Sequence, residues 1–189
     1  MQTKVNPSLI SPAQQKVIST FRWVGWFAFW IELALSIVIG LVLLVAVSGR
    51  NFATQTNTGI GIGIFWAICG VIVLCFSIYA AFRYTRIAKR LRNPNSTFYP
   101  KKSDTIKFLR ITGFVSLLGI LLSLLGAGAT IGVLVAKAVS QPPGVAITDP
   151  NKIIRALDVF VAVANINSIA GNFVGAITSL GLLYWTHRQ

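Results

Sequence analysis

Four unbroken apolar stretches decide what this chain can fold into. They run from Val24 to Val47, Ile60 to Phe82, Ile111 to Ala136 and Val159 to Thr186, and together they hold a single charged residue, Glu32. About 20 apolar residues rising 1.5 Å each cross a hydrocarbon core of roughly 30 Å, so every stretch is long enough to span a bilayer as a helix. Nothing apolar is left over for a separate water-soluble core. The whole-chain balance agrees, because 11% charged residues in 189 falls well short of the roughly 25% of a soluble domain. With 54% hydrophobic residues, a mean hydropathy of +0.73 and two Cys, disorder, collagen-like repeats and a disulfide scaffold are excluded. The expectation is an all-α, polytopic membrane protein: a four-transmembrane-helix bundle forming one membrane domain over residues 1–189.

The first stretch is too long for a signal-peptide core and lacks a small-residue cleavage pattern after it. The 22 residues before it are short and Arg-poor for a transit peptide. The expectation is therefore a mature, unprocessed chain, most simply a bacterial one.

Cation placement sets the expected orientation, because Lys and Arg of short loops are retained on the cytoplasmic side. Lys4, Lys16 and Arg22 precede the first span. Arg83, Arg86, Lys89, Arg90, Arg92, Lys101, Lys102, Lys107 and Arg110 lie between the second and third, and Arg188 follows the fourth. The other side holds Arg50, Lys137, Lys152 and Arg155. Both termini are accordingly expected in the cytoplasm, on an inner-type membrane such as a plasma or thylakoid membrane. Trp23, Trp26 and Trp30 open the first span and Tyr184 and Trp185 close the fourth, as interfacial rings do.

The connecting segments carry helix punctuation. Ser11, Pro12 and Gln14 combine an N-cap, a first-turn proline and a capping-box partner. With Val17, Ile18 and Phe21 as its apolar side, this predicts a short interfacial helix before the first span. Arg83, Arg86 and Arg90 fall at i, i+3 and i+7, so the second span should emerge from the membrane as a helix with a basic face. Pro94 and Pro100 break it, and Ser103 with Asp104 can start a helix running into the third span. Long cytoplasmic extensions of the second and third helices follow. Asp149 and Pro150, after the turn residues Gln141 to Gly144, predict a short helix leading into the fourth.

An ionised side chain within a span costs a few kcal/mol unless paired or wetted, which singles out Glu32. It lies nine residues past Trp23, about 13 Å along the helix, in the half nearer the cytoplasm. Either it is a cation or proton site facing the bundle interior, or its protonated or hydrogen-bonded carboxyl locks helices together. In the fourth span Asp158, Asn165, Asn172 and Ser179 recur every seven residues, a spacing that drifts only about 20° per step and draws one polar stripe. Counted from the interfacial aromatics, Asn172 and Ser179 bracket the depth of Glu32. Glu32 should therefore face the fourth span within reach of one of these groups, directly or through water. Asn165, Asn172 and Ser179 complete the candidate intramembrane polar site, either a conduit or interhelical glue worth about 0.6 kcal/mol per bond.

Glycines spaced by four, Gly59 and Gly63, Gly128 and Gly132, Gly171 and Gly175, predict close helix approach. Gly126-Ala127-Gly128-Ala129 could loosen the third span. Cys69 and Cys75, six apart on one helix, cannot pair with each other and read as small buried hydrophobes.

The nine-cation segment, with Arg83, Arg86, Lys89, Arg90, Lys101 and Lys102 foremost, reads as a contact for anionic headgroups or for an acidic protein partner. Without a stacking platform or a nucleic-acid motif it does not read as a nucleic-acid site. The chain has no P-loop, dinucleotide turn or Cys/His cluster, and its lone His187 is in the tail. No enzyme activity and no cofactor are expected. As a metal ligand Glu32 is the one plausible intramembrane carboxylate, so a metal path would need several chains to share a site.

Several runs together carry a resemblance. They are Phe76-Ser77-Ile78-Tyr79 with Phe82-Arg83-Tyr84-Thr85-Arg86, Ser103-Asp104-Thr105, Leu134 to Pro142, and Ala156-Leu157-Asp158-Val159-Phe160 with Ala164-Asn165-Ile166-Asn167. They resemble the four-span "permease in chloroplasts" or Tic translocon component family of the chloroplast inner envelope, over about Pro12 to Trp185. The resemblance implies a cyanobacterial-type member tied to iron permeation or to protein import, and it supplies no agreed binding residues to carry over. An iron path wants carboxylate, thiol or imidazole ligands, in which this chain is poor; a translocon component wants partner faces and a charged surface, in which it is rich. The combined expectation is a transport-associated membrane subunit, an iron or other cation permease. The alternative is a non-catalytic translocon, assembly or scaffold subunit of a membrane complex, photosynthetic or otherwise. Four helices enclose little room, so a homo-oligomer or a larger assembly is expected.

Overall fold

The computed structural model describes residues 12–50, 58–92, 102–140 and 154–188, which form four helices and no strand. These are α1 (Pro12–Arg50), α2 (Thr58–Leu91), α3 (Lys102–Val139) and α4 (Ala156–Arg188). All four are long and apolar enough to cross a membrane. At 33 to 39 residues they measure about 50–58 Å, so each projects well beyond a hydrocarbon core of roughly 30 Å. α2 runs nine residues past its apolar stretch and α3 starts nine before its own, the extensions expected from the sequence.

Among the described residues α2 and α4 pack on each other and on both remaining helices, whereas the backbones of α1 and α3 stay apart. The bundle is thus a central pair, α2 and α4, flanked on opposite sides by α1 and α3. α4, the least apolar helix, is also the most buried. Lipid tails offer apolar side chains nearly as good an environment as a protein interior, so it is the polar helix that gains most from being surrounded.

Two ends can be distinguished. At the basic end Phe21, Tyr84, Leu109 and Leu182 form a buried cluster onto which Val17, Ile18 and Leu91 pack. At the far end Ala46, Ile60, Ile64 and Val161 do the same. These clusters show α1 antiparallel to α2 and α4, and the α2–α4 pair parallel.

The separate interfacial helix expected before the first span is not formed. α1 is continuous from Pro12, and the apolar side assigned to lipid, Val17, Ile18 and Phe21, is taken up by the extension of α2 and by Leu109 and Leu182. A protein partner for that stripe was already in place. The Gly126–Ala129 stretch likewise does not interrupt α3. Ser103 lies inside α3 rather than capping it, with its hydroxyl toward Asp104 at 3.4 Å. The helix expected from Asp149 and Pro150, the cap at Ser11 and the cation Lys101 lie outside the described residues. Cys75 is exposed on the outer face and Cys69 half-buried, so neither is a core residue.

Trp23, Trp26 and Trp30 face outward from α1, and Tyr184 does so from α4, forming an aromatic belt at the basic end. Trp185 instead packs against the buried cluster.

Candidate functional site

The heptad spacing visible in α4 is present in every helix. On α2 Gly63, Gly70, Ser77 and Tyr84 are buried at intervals of seven; on α3 so are Ser116, Ser123, Thr130 and Lys137; on α1 Gly25, Glu32, Ile39 and Ala46. A repeat of seven kept over several heptads is one that left-handed supercoiling holds against its neighbours. The result is a polar seam down the bundle axis, organised in levels.

Two levels are built alike. Asn165 donates one amide hydrogen to its own helix at Val161 O (3.0 Å) and the other across to Gly63 O on α2 (3.2 Å). One heptad on, Asn172 donates to Ser168 O (2.9 Å) and to Gly70 O (3.3 Å). Their carbonyl oxygens turn to α3, where each fills the space a Cβ on Gly126 or Gly119 would need. Beside these rungs, Thr130 bonds Gly126 O, and Ser123 bonds both Gly119 O and Ser168 Oγ, each at 2.8 Å. Since the Ser123 hydrogen is spent on Gly119, Ser168 is the donor in that pair. Glycine is required at Gly63, Gly70, Gly119 and Gly126 because an added Cβ would overlap a side-chain oxygen or carbonyl carbon of the facing helices.

The third level joins all four helices. Glu32 of α1, 1% exposed, accepts a hydrogen bond at Oε1 from Ser77 of α2 (3.0 Å). Both lie over the bare Cα of Gly175 on α4, and Ser116 of α3 reaches the same point. Here Glu32 Oε2 and Ser116 Oγ have no hydrogen-bond partner, as is true of the two Asn Oδ1 atoms among the rungs. Toward the basic end, Ser179 spends its hydrogen on Gly175 O (2.7 Å), so the Tyr84 hydroxyl donates to Ser179 Oγ (3.0 Å). At the far end Lys137, in the last turn of α3, pairs with Asp158, in the first turn of α4, at 2.6 Å in a buried position. Each sits where the helix dipole favours its charge.

Glu32 thus faces α4 at Gly175, between Asn172 and Ser179, but its direct partner is Ser77 of α2. Asn165, Asn172 and Ser179 are fully buried along the same seam. Lys137, counted from sequence as a loop cation, belongs to the bundle. Close approach follows intervals of seven more than four: Gly171 and Gly175 do meet neighbouring helices, whereas nothing lies near Gly128 or Gly132, which face outward. Ser77, Ser116, Ser168 and Tyr84 were missed, although a search for heptads on every span would have found most of them.

Arg83, Arg86, Lys89, Arg90 and Lys102 are exposed at the basic end. Three of the arginines, Arg83, Arg86 and Arg90, share a cleft between α2 and the start of α3.

Fold and seam define a four-span membrane bundle held by internal polar rungs. The chain matches, over residues 11–187, the family described as "Protein of unknown function (DUF3611)", and it belongs to that family. It is 30% identical over 186 residues to "Protein TIC 21, chloroplastic" of Arabidopsis thaliana, covering 95% of this chain and 61% of that protein. The chain therefore spans about three fifths of the length of this relative, and the resemblance read from the residues is borne out. No solved structure matches the chain.

Proposed function

We propose that the protein is a non-catalytic, transport-associated subunit of an inner-type membrane, a translocon, assembly or scaffold component that acts through its surfaces. One observation carries this reading. The seam is interlocked so tightly that side-chain oxygens occupy the places where glycine Cβ atoms would stand, and an ion could file through only if the helices parted. The outer faces are by contrast broad, apolar and ringed by exposed aromatics, with a basic helical extension at one end. On the positive-inside rule that end, and with it both termini, belongs to the cytoplasm. The partners on this reading are anionic lipids and further copies or other membrane subunits, with no nucleic acid, no enzymatic step and no resident cofactor.

A second reading, a permease for iron or another cation, is favoured by the two unpartnered oxygens at the four-helix level, Glu32 Oε2 and Ser116 Oγ. These are hard ligands of the kind a cation takes as its water is stripped. With Glu32 the one carboxylate at that level, several copies would have to share the path.

Uptake of ferrous iron into proteoliposomes separates the two. The accessory reading expects the native chain to take up iron no faster than empty liposomes. Uptake above that level that falls in Glu32→Gln would overturn it in favour of the permease.

A further inference from the structure

We propose that the cleft between α2 and the first turns of α3 is a binding site for one anionic glycerophospholipid, with the phosphodiester held by Arg83 and Arg86. The cleft encloses about 460 Å³. Arg83, Arg86 and Arg90 line its α2 wall, and Asp104 and Thr105 lie on its α3 wall. Their spacing of i, i+3 and i+7 spreads the three guanidiniums over about 10 Å of one helix face.

Two of these groups are fixed in place. The Arg83 guanidinium carbon stands 4.0 Å from the centre of the Phe108 ring across on α3, and that of Arg86 stands 4.7 Å from the Phe82 ring. A cation–π contact uses no hydrogen-bond acceptor, so the guanidinium N–H groups remain to meet phosphate oxygens, two at once where the fork faces them. Their order is thus set before any ligand arrives, which lowers the entropic cost of binding.

Depth identifies the ligand as a lipid rather than a dissolved anion. Arg83 is the first charged residue after Ile60–Phe82, 23 residues without a charge, so it stands where apolar stem meets headgroup. Tyr79, one turn deeper and 57% exposed, lines the mouth of the same cleft. A heptad further in, Ile72 is 64% exposed and offers a track for an acyl chain. The exposed Trp26 and Trp30 of neighbouring α1 mark the same interface.

The charge balance selects the headgroup. Three cations face one carboxylate, Asp104, which leaves the cleft net positive and suits an anionic phosphodiester over a zwitterionic one. Asp104 also gives a hydrogen-bond acceptor to a headgroup that carries hydroxyls. Phosphatidylglycerol has both features.

Native mass spectrometry of the full chain released from mixed phosphatidylglycerol and phosphatidylcholine nanodiscs tests the site. The expected result is one phosphatidylglycerol retained at least tenfold over phosphatidylcholine. The preference should disappear in Arg83→Ala/Arg86→Ala, fall about threefold in Arg83→Lys/Arg86→Lys, which keeps the charge and loses the planar fork, and persist in Lys107→Ala/Arg110→Ala, which removes equal charge beside the cleft. Unchanged helical circular dichroism confirms that each variant is folded, and the Lys pair decides the matter should the Ala pair unfold. Equal losses in the cleft and control variants would overturn the site in favour of diffuse surface attraction. Displacement of the lipid by millimolar glycerol 3-phosphate would make it a small-anion site, and displacement by an acidic peptide would make it a protein-docking face; either result overturns the proposal.

Discussion

The two asparagine rungs and the glutamate level occupy one seam a few turns apart, yet they are finished differently. At Asn165 and Asn172 both amide hydrogens are committed, one within α4 and one to a glycine carbonyl of α2. The carbonyl oxygens are pressed onto glycines of α3. At Glu32 only one carboxylate oxygen is bonded, and the Ser116 hydroxyl beside it is unused. An amide offers two donors and needs no counter-charge, so it can complete a helix–helix contact in a low-dielectric medium by itself. A carboxyl there requires a proton or a cation in addition. The rungs accordingly act as fasteners in which only the amide oxygens lack a partner, and the glutamate level adds an unbonded carboxyl oxygen and an unused hydroxyl.

The largest effect is expected from unbalancing the pair that closes the seam at the far end. Asp158→Ala removes the carboxylate paired with the buried Lys137 ammonium, and a loss of about 3–5 kcal/mol is expected from unfolding in mixed micelles. Lys137→Leu/Asp158→Leu should recover most of it, and a double variant as unstable as the single one would show that the charge is not what matters. Next in size is the glycine contact. Gly126→Ala drives a Cβ into Asn165 Oδ1 and should cost about 1–3 kcal/mol, whereas Gly128→Ala, with open space around it, should cost nothing. Similar effects at the two positions would break the assignment of the asparagines as tight rungs. The smallest effect separates the two kinds of level directly. Asn172→Leu removes the hydrogen bonds to Gly70 and Ser168 and should destabilise by about 1 kcal/mol, while Glu32→Gln keeps the shape, retains the acceptor for Ser77 and should stay below that. A Glu32→Gln loss exceeding that of Asn172→Leu would mean the carboxyl is itself a fastener.

The legible part of this architecture was the part written in contrasts. Apolar runs stand out against charge, and Asp158, Asn165, Asn172 and Ser179 stand out against an apolar background. Glycine and serine are frequent in membrane helices for several reasons, so Gly63, Gly70, Gly119 and Gly126 carried no label until the asparagines were seen lying on them. The usual four-residue rule pointed to Gly128 and Gly132, which have no neighbour in the bundle, because it describes pairs crossing at a steep angle and not helices that stay in register over four heptads. Lys137 was misplaced for a related reason: a cation at the edge of an apolar run reads as a loop residue until a carboxylate on the next helix is found facing it.

By itself the chain determined four spans, their lengths, the polar stripe of α4 and the family to which it belongs. These depend on local composition and on solvent, and the bilayer reads both directly. Only the tertiary structure decided that α2 and α4 form the central pair, that Ser77 rather than an α4 side chain holds Glu32, and that the head of α1 packs on the bundle instead of lying on the membrane. Each of those choices depends on which face of one helix meets which face of another. In lipid, where burying an apolar side chain changes little, that choice falls to the few hydrogen bonds and the bare glycine backbones that let helices approach.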